Sequence, residues 1–435
     1  MAFSISEYLS QRIATSKEIQ AATGLNQTAV ARQLKQLGDR IIKIANGRSP
    51  QYALTRNAFG GDDKLHLAMV DTHGNTAFVA LIRPLAPGGF FVTPLTGIPK
   101  VLLGEQGNGL YEDLPYFLYD LAPQGFLGRQ IAAEISKQSS DFPSDPRHWN
   151  SSHIGRYLIA NGDDLPGNFK LGIQTTIRVR RDAEKITEND YPRLAESVMS
   201  GAIPGSSTGG EQPKFTAYCA ERLSHVIVKF SPKGNDKIAQ RWRDILITEY
   251  NATKALQAKQ FPAATTRLIE KGDRLFLESQ RFDRVGEHGR MPMLSLQAID
   301  AEFTGLASNW NKVSLKLYQQ KLLSQEDHFT INALWHFGRL INNTDMHLGN
   351  LSLGINKETF SLLPIYDMCS MGFAPHSNGE ISPYSYTPPD LSSAREAETT
   401  IALKMARDFW HRVASDNRIS EELRTYLAKS NPLNQ

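Results

Sequence analysis

One stretch constrains this chain more than any other: INNTDMHLGNLSLGI, followed shortly by LLPIYDMCSM. Asp345 and Asn350 stand five positions apart in a polar loop, the apolar run LSLGI follows, and Asp367 comes seventeen residues after Asn350. A loop, a strand and a returning acidic residue can bring three oxygen-bearing side chains to one strand end. Phosphoryl transfer needs such a set, with one acceptor for a hydroxyl proton and further oxygens that hold magnesium against phosphates. An Asp and an Asn at this spacing also serve as ordinary turn residues, and taken alone that bland alternative is the better one.

Four other segments change the balance. HVIVKFSP reads as a β-branched strand carrying Lys229. A lone lysine there guards a sheet edge or binds phosphate. Twenty residues on, ILITEYNATKAL reads as a helix carrying Glu249. A strand lysine paired with a helix glutamate orients nucleotide phosphates in protein kinases. Upstream, IPGSSTGGEQPKF gathers Ser206, Ser207, Gly209, Gly210, Glu211, Gln212, Pro213 and Lys214. Small residues of this kind let backbone N–H groups approach an anion, or simply make a flexible linker. It is not a P-loop, because Glu211 and Gln212 replace the Lys-Ser/Thr pair. Finally, FLESQRFDRVG offers Gln280, Arg281 and Phe282 where a kinase would meet adenine. The competing reading there is a core Phe282 beside an Arg281–Asp283–Arg284 salt-bridge cluster. The spacing of Asp345, Asn350 and Asp367 is that of the kinase catalytic Asp and its two metal ligands.

Taken in order, SSTGGEQPKF, VIVKF, QRFDR, TDMHLGNLSL and YDM resemble the HipA-like serine/threonine kinases, toxins of type II toxin–antitoxin modules, over roughly residues 62–425. The resemblance implies an α+β, two-lobed HipA-like protein-kinase fold using ATP and Mg2+. It implies a HipA N-terminal-like subdomain over 60–165, a small lobe over 166–283 and a helical large lobe over 284–435. Asp345 then matches the proton acceptor, and Asn350 and Asp367 match the magnesium ligands. Lys229, His347, Tyr366, the stretch Gly209 to Lys214 and the stretch Gln280 to Phe282 match nucleotide contacts. Ser207, with Ser206 as alternative, matches an autophosphorylation site. Phosphate there adds about −1.5 to −2 charge and would eject the loop. A protein substrate such as an aminoacyl-tRNA synthetase and a HipB-like antitoxin are the implied partners. The triplet Tyr366-Asp367-Met368 lacks the usual glycine, and Gln280 and Pro213 replace acidic residues of the family's best-known member.

The chain's formal charge of +3 is unevenly spread. Residues 1–56 hold eight Lys/Arg (Arg12, Lys17, Arg32, Lys35, Arg40, Lys43, Arg48, Arg56) against Glu7, Glu18 and Asp39, which is +5 and leaves −2 elsewhere. Caps at Ser4, Thr15 or Ser16, and Asn26, a breaking Gly24, and the runs IIKIA and QYALT around Asn46-Gly47 predict three helices and a hairpin. Residues 1–57 therefore resemble a winged helix-turn-helix that binds DNA through Gln27, Thr28, Arg32, Lys35 and the wing-tip Arg48. A winged helix ahead of the kinase points to the YjjJ-type branch of the family.

Two cysteines, Cys219 and Cys369, exclude a disulfide framework and any Cys-only metal site needing three or four thiolates. With no run of about 18 apolar residues and no export pattern in MAFSISEYLSQR, the expectation is a cytoplasmic protein without membrane contact. Two other functions compete with the kinase. One is a transcriptional regulator whose kinase fold only senses nucleotide. The other is a metal-dependent nucleic-acid-modifying enzyme built on Asp345, His347 and Asp367, which would leave Lys229 idle.

Overall fold

The computed structural model describes residues 3–44, 49–162, 164–177, 182–201, 212–376, 378–389, 391, 396–430 and 432. Arg48, Ser206, Ser207, Gly209, Gly210 and Glu211 lie outside them. The chain divides into two compact units, one of Met1–Ala122, Trp149–Val179 and Ile355–Glu358, the other of Pro123–His148, Arg180–Gly354 and Thr359–Gln435.

The first unit opens with helices α1 (Ile5–Gln11), α2 (Ser16–Thr23) and α3 (Gln27–Gln36). Ser4 and Glu7 cap α1 reciprocally, and Thr15 and Glu18 do the same for α2. Each pair satisfies two orphan N–H groups at a helix start. Gly24, at φ 70°, ends α2 in the left-handed region, and the Asn26 side chain accepts from Ala29 N–H to start α3. The short strand β1 (Ala14–Thr15) pairs with β3 (Gln51–Leu54), which pairs with β2 (Ile41–Ile44). Ile5, Leu9, Ile19, Val30, Leu34 and Leu54 close the core of this module. The outward side of α3 leaves Gln27, Thr28, Arg32 and Lys35 exposed.

Strands β4 (Leu65–Val70), β5 (Thr76–Pro84), β6 (Phe90–Pro94), β7 (Leu110–Tyr111) and β8 (Phe169–Leu171) form a second sheet in the order β7-β6-β5-β4-β8. Helices α4 (Tyr116–Tyr119), α6 (Ser151–Asn161) and α7 (Ile173–Ile177) accompany it, while α5 (Gly125–Gln138) belongs to the second unit. The two sheets of the first unit are not separate bodies. Ile42, Ile44 and Ala53 share a core with Leu85 and Phe91. Thr55 and Leu85 form an antiparallel bridge, and Ala86 N–H donates to Leu54 C=O at 2.7 Å. The buried Arg83 guanidinium donates to the carbonyls of Asp39 and Asp63 and to the Asp63 carboxylate, each at 2.7 Å. A charge buried at such a seam persists because it is paired and fully hydrogen-bonded.

The second unit begins with a sheet in the order β12-β13-β11-β10-β9. Its strands are β9 (Lys185–Ile186), β10 (Lys214–Cys219), β11 (Ser224–Phe230), β12 (Thr266–Lys271) and β13 (Arg274–Gln280). Residues 191–201 form helix α8 (Tyr191–Gly201). Tyr191, Leu194, Ala195 and Val198 recur at helical spacing, and this stripe packs on Phe215, Val226, Val228 and Phe230. Helix α9 (Lys237–Ala258), capped by Asp236, crosses between β11 and β12. Beyond the small hairpin β14 (Arg284–Val285) and β15 (Gly289–Arg290) come α10 (Leu296–Phe303), α11 (Trp310–Gln319), α12 (Gln325–Leu340), α13 (Glu396–Ser415) and α14 (Glu421–Ser430). A three-stranded sheet of β16 (Leu294–Ser295), β17 (Ser352–Asn356) and β18 (Thr359–Leu362) carries the segment between Asn350 and Asp367. Among the described residues no helix is long and apolar enough to cross a membrane.

Candidate active site

Strand parity places the first site residue. Val226, Val228 and Phe230 of β11 point into the α8 side of the sheet, so Lys229 emerges on the opposite face. There its Nζ lies 2.7 and 2.6 Å from the two carboxylate oxygens of Glu249 on α9, and 2.6 Å from Asp367 Oδ1. All three side chains are largely withdrawn from water, with exposures of 9%, 3% and 29%. Burial alone would push the Lys229 ammonium down, but Asp367 and Glu249 outweigh it and hold the charge firmly on the nitrogen. Burial likewise opposes ionisation of Asp367, yet Lys229 ahead of Lys214 and His347 brings that carboxyl down to about 2. Glu249, deeper, is pushed up by burial beyond what Lys229 offsets. Lys214 faces Lys229 across the β10–β11 ladder, which adds a second cation to the same wall.

The Asp345 loop is fixed from several sides. Asn343 Oδ1 accepts from Asp345 N–H at 3.0 Å, and Asn350 Nδ2 donates to Asp345 C=O at 2.8 Å. The second bond orients the Asn350 amide, leaving Oδ1 as the atom for a cation. His347 Nδ1 accepts from Gly349 N–H at 3.1 Å, so its other nitrogen carries the proton and sits 3.6 Å from Asp345 Oδ1. Trp310 of α11 donates to the His347 carbonyl at 2.9 Å. Asp367 itself has φ 54°, a left-handed conformation that an Asp tolerates better than most residues. Strain of this kind gathers at functional sites.

Phe282 and Tyr366 stand beside each other, ring centroids 5.7 Å apart. Tyr366 shares a 2.7 Å hydroxyl contact with Ser352. Gln280 is exposed at the end of β13. The Arg281 guanidinium is engaged by Asp283 at 3.0 and 2.9 Å, with Arg284 at 2.6 Å on the same carboxylate. The salt-bridge reading thus describes that side chain. Gln212 is 6% exposed, and its buried Nε2 has no partner among the described residues. A buried hydrogen-bond donor two residues before Lys214 in the chain fits an anion-binding role. An Asp carboxylate and an Asn carbonyl are the hard oxygen ligands that magnesium takes.

Some residues of the site carried no sequence signal. Ser370 N–H donates to Thr248 Oγ1 at 3.2 Å, and Arg241 donates to the carbonyls of Phe373 and Ser382 at 3.0 Å. Tyr384 donates to the buried Asp244 at 2.6 Å. These bonds tie the chain that follows Asp367 to the helix that carries Glu249.

Comparison with known proteins supplies the family. The HipA-like C-terminal domain matches residues 206–428, and the YjjJ-like toxin middle domain matches residues 61–180. Toxin YjjJ of Escherichia coli (strain K12) is 34% identical over 441 residues, spanning 98% of this chain and 96% of that one. The chain belongs to the YjjJ-type HipA-like toxins. The HipA-like fold is also found in the solved complex of Shewanella oneidensis MR-1 HipA, HipB and its operator DNA. That match has a TM-score of 0.57 at 15% identity and covers 85% of this chain and 96% of the other. The Helicobacter pylori proinflammatory kinase CtkA matches with a TM-score of 0.34 at 16% identity, over 51% of this chain and 88% of that one.

Proposed function

We propose that this HipA-like toxin is an ATP- and Mg2+-dependent serine/threonine kinase that also phosphorylates itself in the loop before β10. The observation that carries this reading is the buried ammonium of Lys229 held between Glu249 and Asp367. A structural ion pair would need one carboxylate. The second, on a strained residue beside the Asp345 loop, suits a site that meets phosphates. In this reading Lys229 and Lys214 neutralise phosphate charge, and Gln212 donates to a phosphate oxygen. Phe282 and Tyr366, packed on each other, form an aromatic wall beside the base, with Gln280 at its edge. Asp345 accepts the proton of the attacking hydroxyl while its backbone is held by Asn343 and Asn350. Magnesium, held by Asn350 and Asp367, would supply charge neutralisation between the phosphates. The cellular substrate is a protein of the translation apparatus such as an aminoacyl-tRNA synthetase. The work is done in the cytoplasm, with a HipB-like antitoxin as a candidate partner. The functional divisions are 1–57, 60–165, 166–283 and 284–435.

Mass spectrometry after incubation with ATP and magnesium tests this. One phosphate on Ser207 or Ser206 is expected, and an unmodified protein after prolonged incubation would overturn the reading.

A second activity is favoured by the exposed outer side of α3. The module of Ile5–Leu54 acts as a winged helix on DNA, with Gln27, Thr28, Arg32 and Lys35 toward the major groove; Arg48, outside the described residues, is the further contact that the sequence suggests. Arg32→Ala with Lys35→Ala should weaken binding at least about tenfold and flatten its salt dependence by roughly two phosphate contacts. Nucleotide affinity should stay unchanged. Gel shifts at several salt concentrations check both. Steep DNA binding in a protein that never transfers phosphate would instead favour a nucleotide-sensing regulator.

A further inference from the structure

We infer that Gly338 and Asn343 are positioning residues that set Asp345 and Asp367 relative to each other, an inference that rests on the kinase reading. Gly338 lies in the last turn of α12, still in helical geometry that alanine adopts more readily than glycine. Its use there calls for a packing reason, and the structure supplies one. A Cβ at this position would stand 2.3 Å from Met346 Sδ, 2.6 Å from Met346 Cε and 3.1 Å from Met368 Sδ. Met346 directly follows Asp345 and Met368 directly follows Asp367. Two distant acidic residues are thus each followed by a methionine, and both sulfurs rest on the same bare patch of helix.

Asn343 completes the arrangement. Its N–H donates to the Gly338 carbonyl at 2.9 Å. Its Oδ1 accepts from Asp345 N–H at 3.0 Å, and its Nδ2 lies 3.4 Å from Met368 Sδ. Asn343, Met346 and Met368 are 8%, 8% and 0% exposed, so none has open solvent to retreat into. A methyl group on residue 338 meets the flexible end of Met346, which is buried and has little room to swing away, and close-packed interiors pass such shifts on. On this inference the shift passes to the backbone one residue from each acidic group. Geometry is costly to lose there, because a misplacement of about 1 Å can cost about 100-fold in rate.

The test is Gly338→Ala, alone and combined with Met346→Ala, which vacates the space the methyl would take. Self-phosphorylation should fall at least about tenfold in the single variant, while the affinity for a fluorescent ATP analogue stays within about threefold. The half-saturating magnesium concentration should rise. The double variant should regain most of the rate even though Met346→Ala adds a cavity and lowers the Tm, a pattern that a role in stability alone would not give. Should Gly338→Ala fail to fold, Asn343→Ala is read by the same rate and affinity measurements with the same expectation. A single variant as fast as wild type, or a double variant no faster than the single, overturns the inference. Wild-type protein that transfers no phosphate overturns the kinase reading and this inference together.

Discussion

Asp345→Asn should leave a protein that binds ATP and magnesium almost as before and transfers no measurable phosphate. The substitution is isosteric. The two bonds that fix this residue use its backbone, from its N–H to Asn343 and to its C=O from Asn350, so the loop keeps its shape. What disappears is the oxygen that can take the proton of the attacking hydroxyl. General-base contributions run to about 10²–10⁴-fold, and a loss near the upper end is expected where no other carboxylate stands within the same loop. Radioactive phosphate incorporation, normalised to wild type, checks the rate, and equilibrium titration with a fluorescent nucleotide checks binding. Incorporation at wild-type speed would remove Asp345 from the chemistry.

Lys229→Met should damage the protein in a different way, through folding and nucleotide binding together. The methionine fills the space but leaves Glu249 and Asp367 facing each other with no cation between them. Removing one member of a buried ionic cluster typically costs about 3–5 kcal/mol. The variant should therefore unfold at clearly lower urea concentration, and nucleotide affinity should collapse. The same cluster sets the acid behaviour of the wild type. Asp367 is ionised in the folded protein down to about pH 2, below the ordinary value near 3.9 that it takes when unfolded. Its contribution is fully present above that ordinary value and fades as pH falls toward about 2. Urea denaturation of wild type and Lys229→Met at pH 7 and at pH 3 should show the difference between them shrinking at the lower pH. A constant difference would mean that the ammonium does not hold Asp367 in its charged form.

The convergence of Lys229, Glu249 and Asp367 was legible in the sequence because each sits on an element with a clear period. Lys229 interrupts a β-branched strand, Glu249 lies on a long helix, and Asp367 follows an apolar run. Order along the chain then places them. Helix α8 was less legible, since its polar residues hid a narrow stripe of Tyr191, Leu194, Ala195 and Val198 that only the facing sheet makes meaningful. Gly338 and Arg241 were not legible at all. Their roles depend on atoms brought from far along the chain, Met346 and Met368 in one case and Phe373 and Ser382 in the other, and no local period reports such meetings. Nor did the sequence reveal that Leu85 and Phe91 would finish the core begun by Ile42 and Ala53. Residues with an alternating pattern say which face is buried, not what covers it.

That seam bears on how such a chain can be divided or rebuilt. A protease nick or gene fusion placed between Arg56 and Asp62 would strip Ile42, Ile44 and Ala53 from Leu85 and Phe91, leaving greasy surface on both fragments. The basic head is therefore not a cartridge to be moved alone onto another toxin. A transplant would have to carry Arg83 and the strands β4 to β6 with it. By the same token, a load applied at α3 is borne by a body that reaches at least to Leu171.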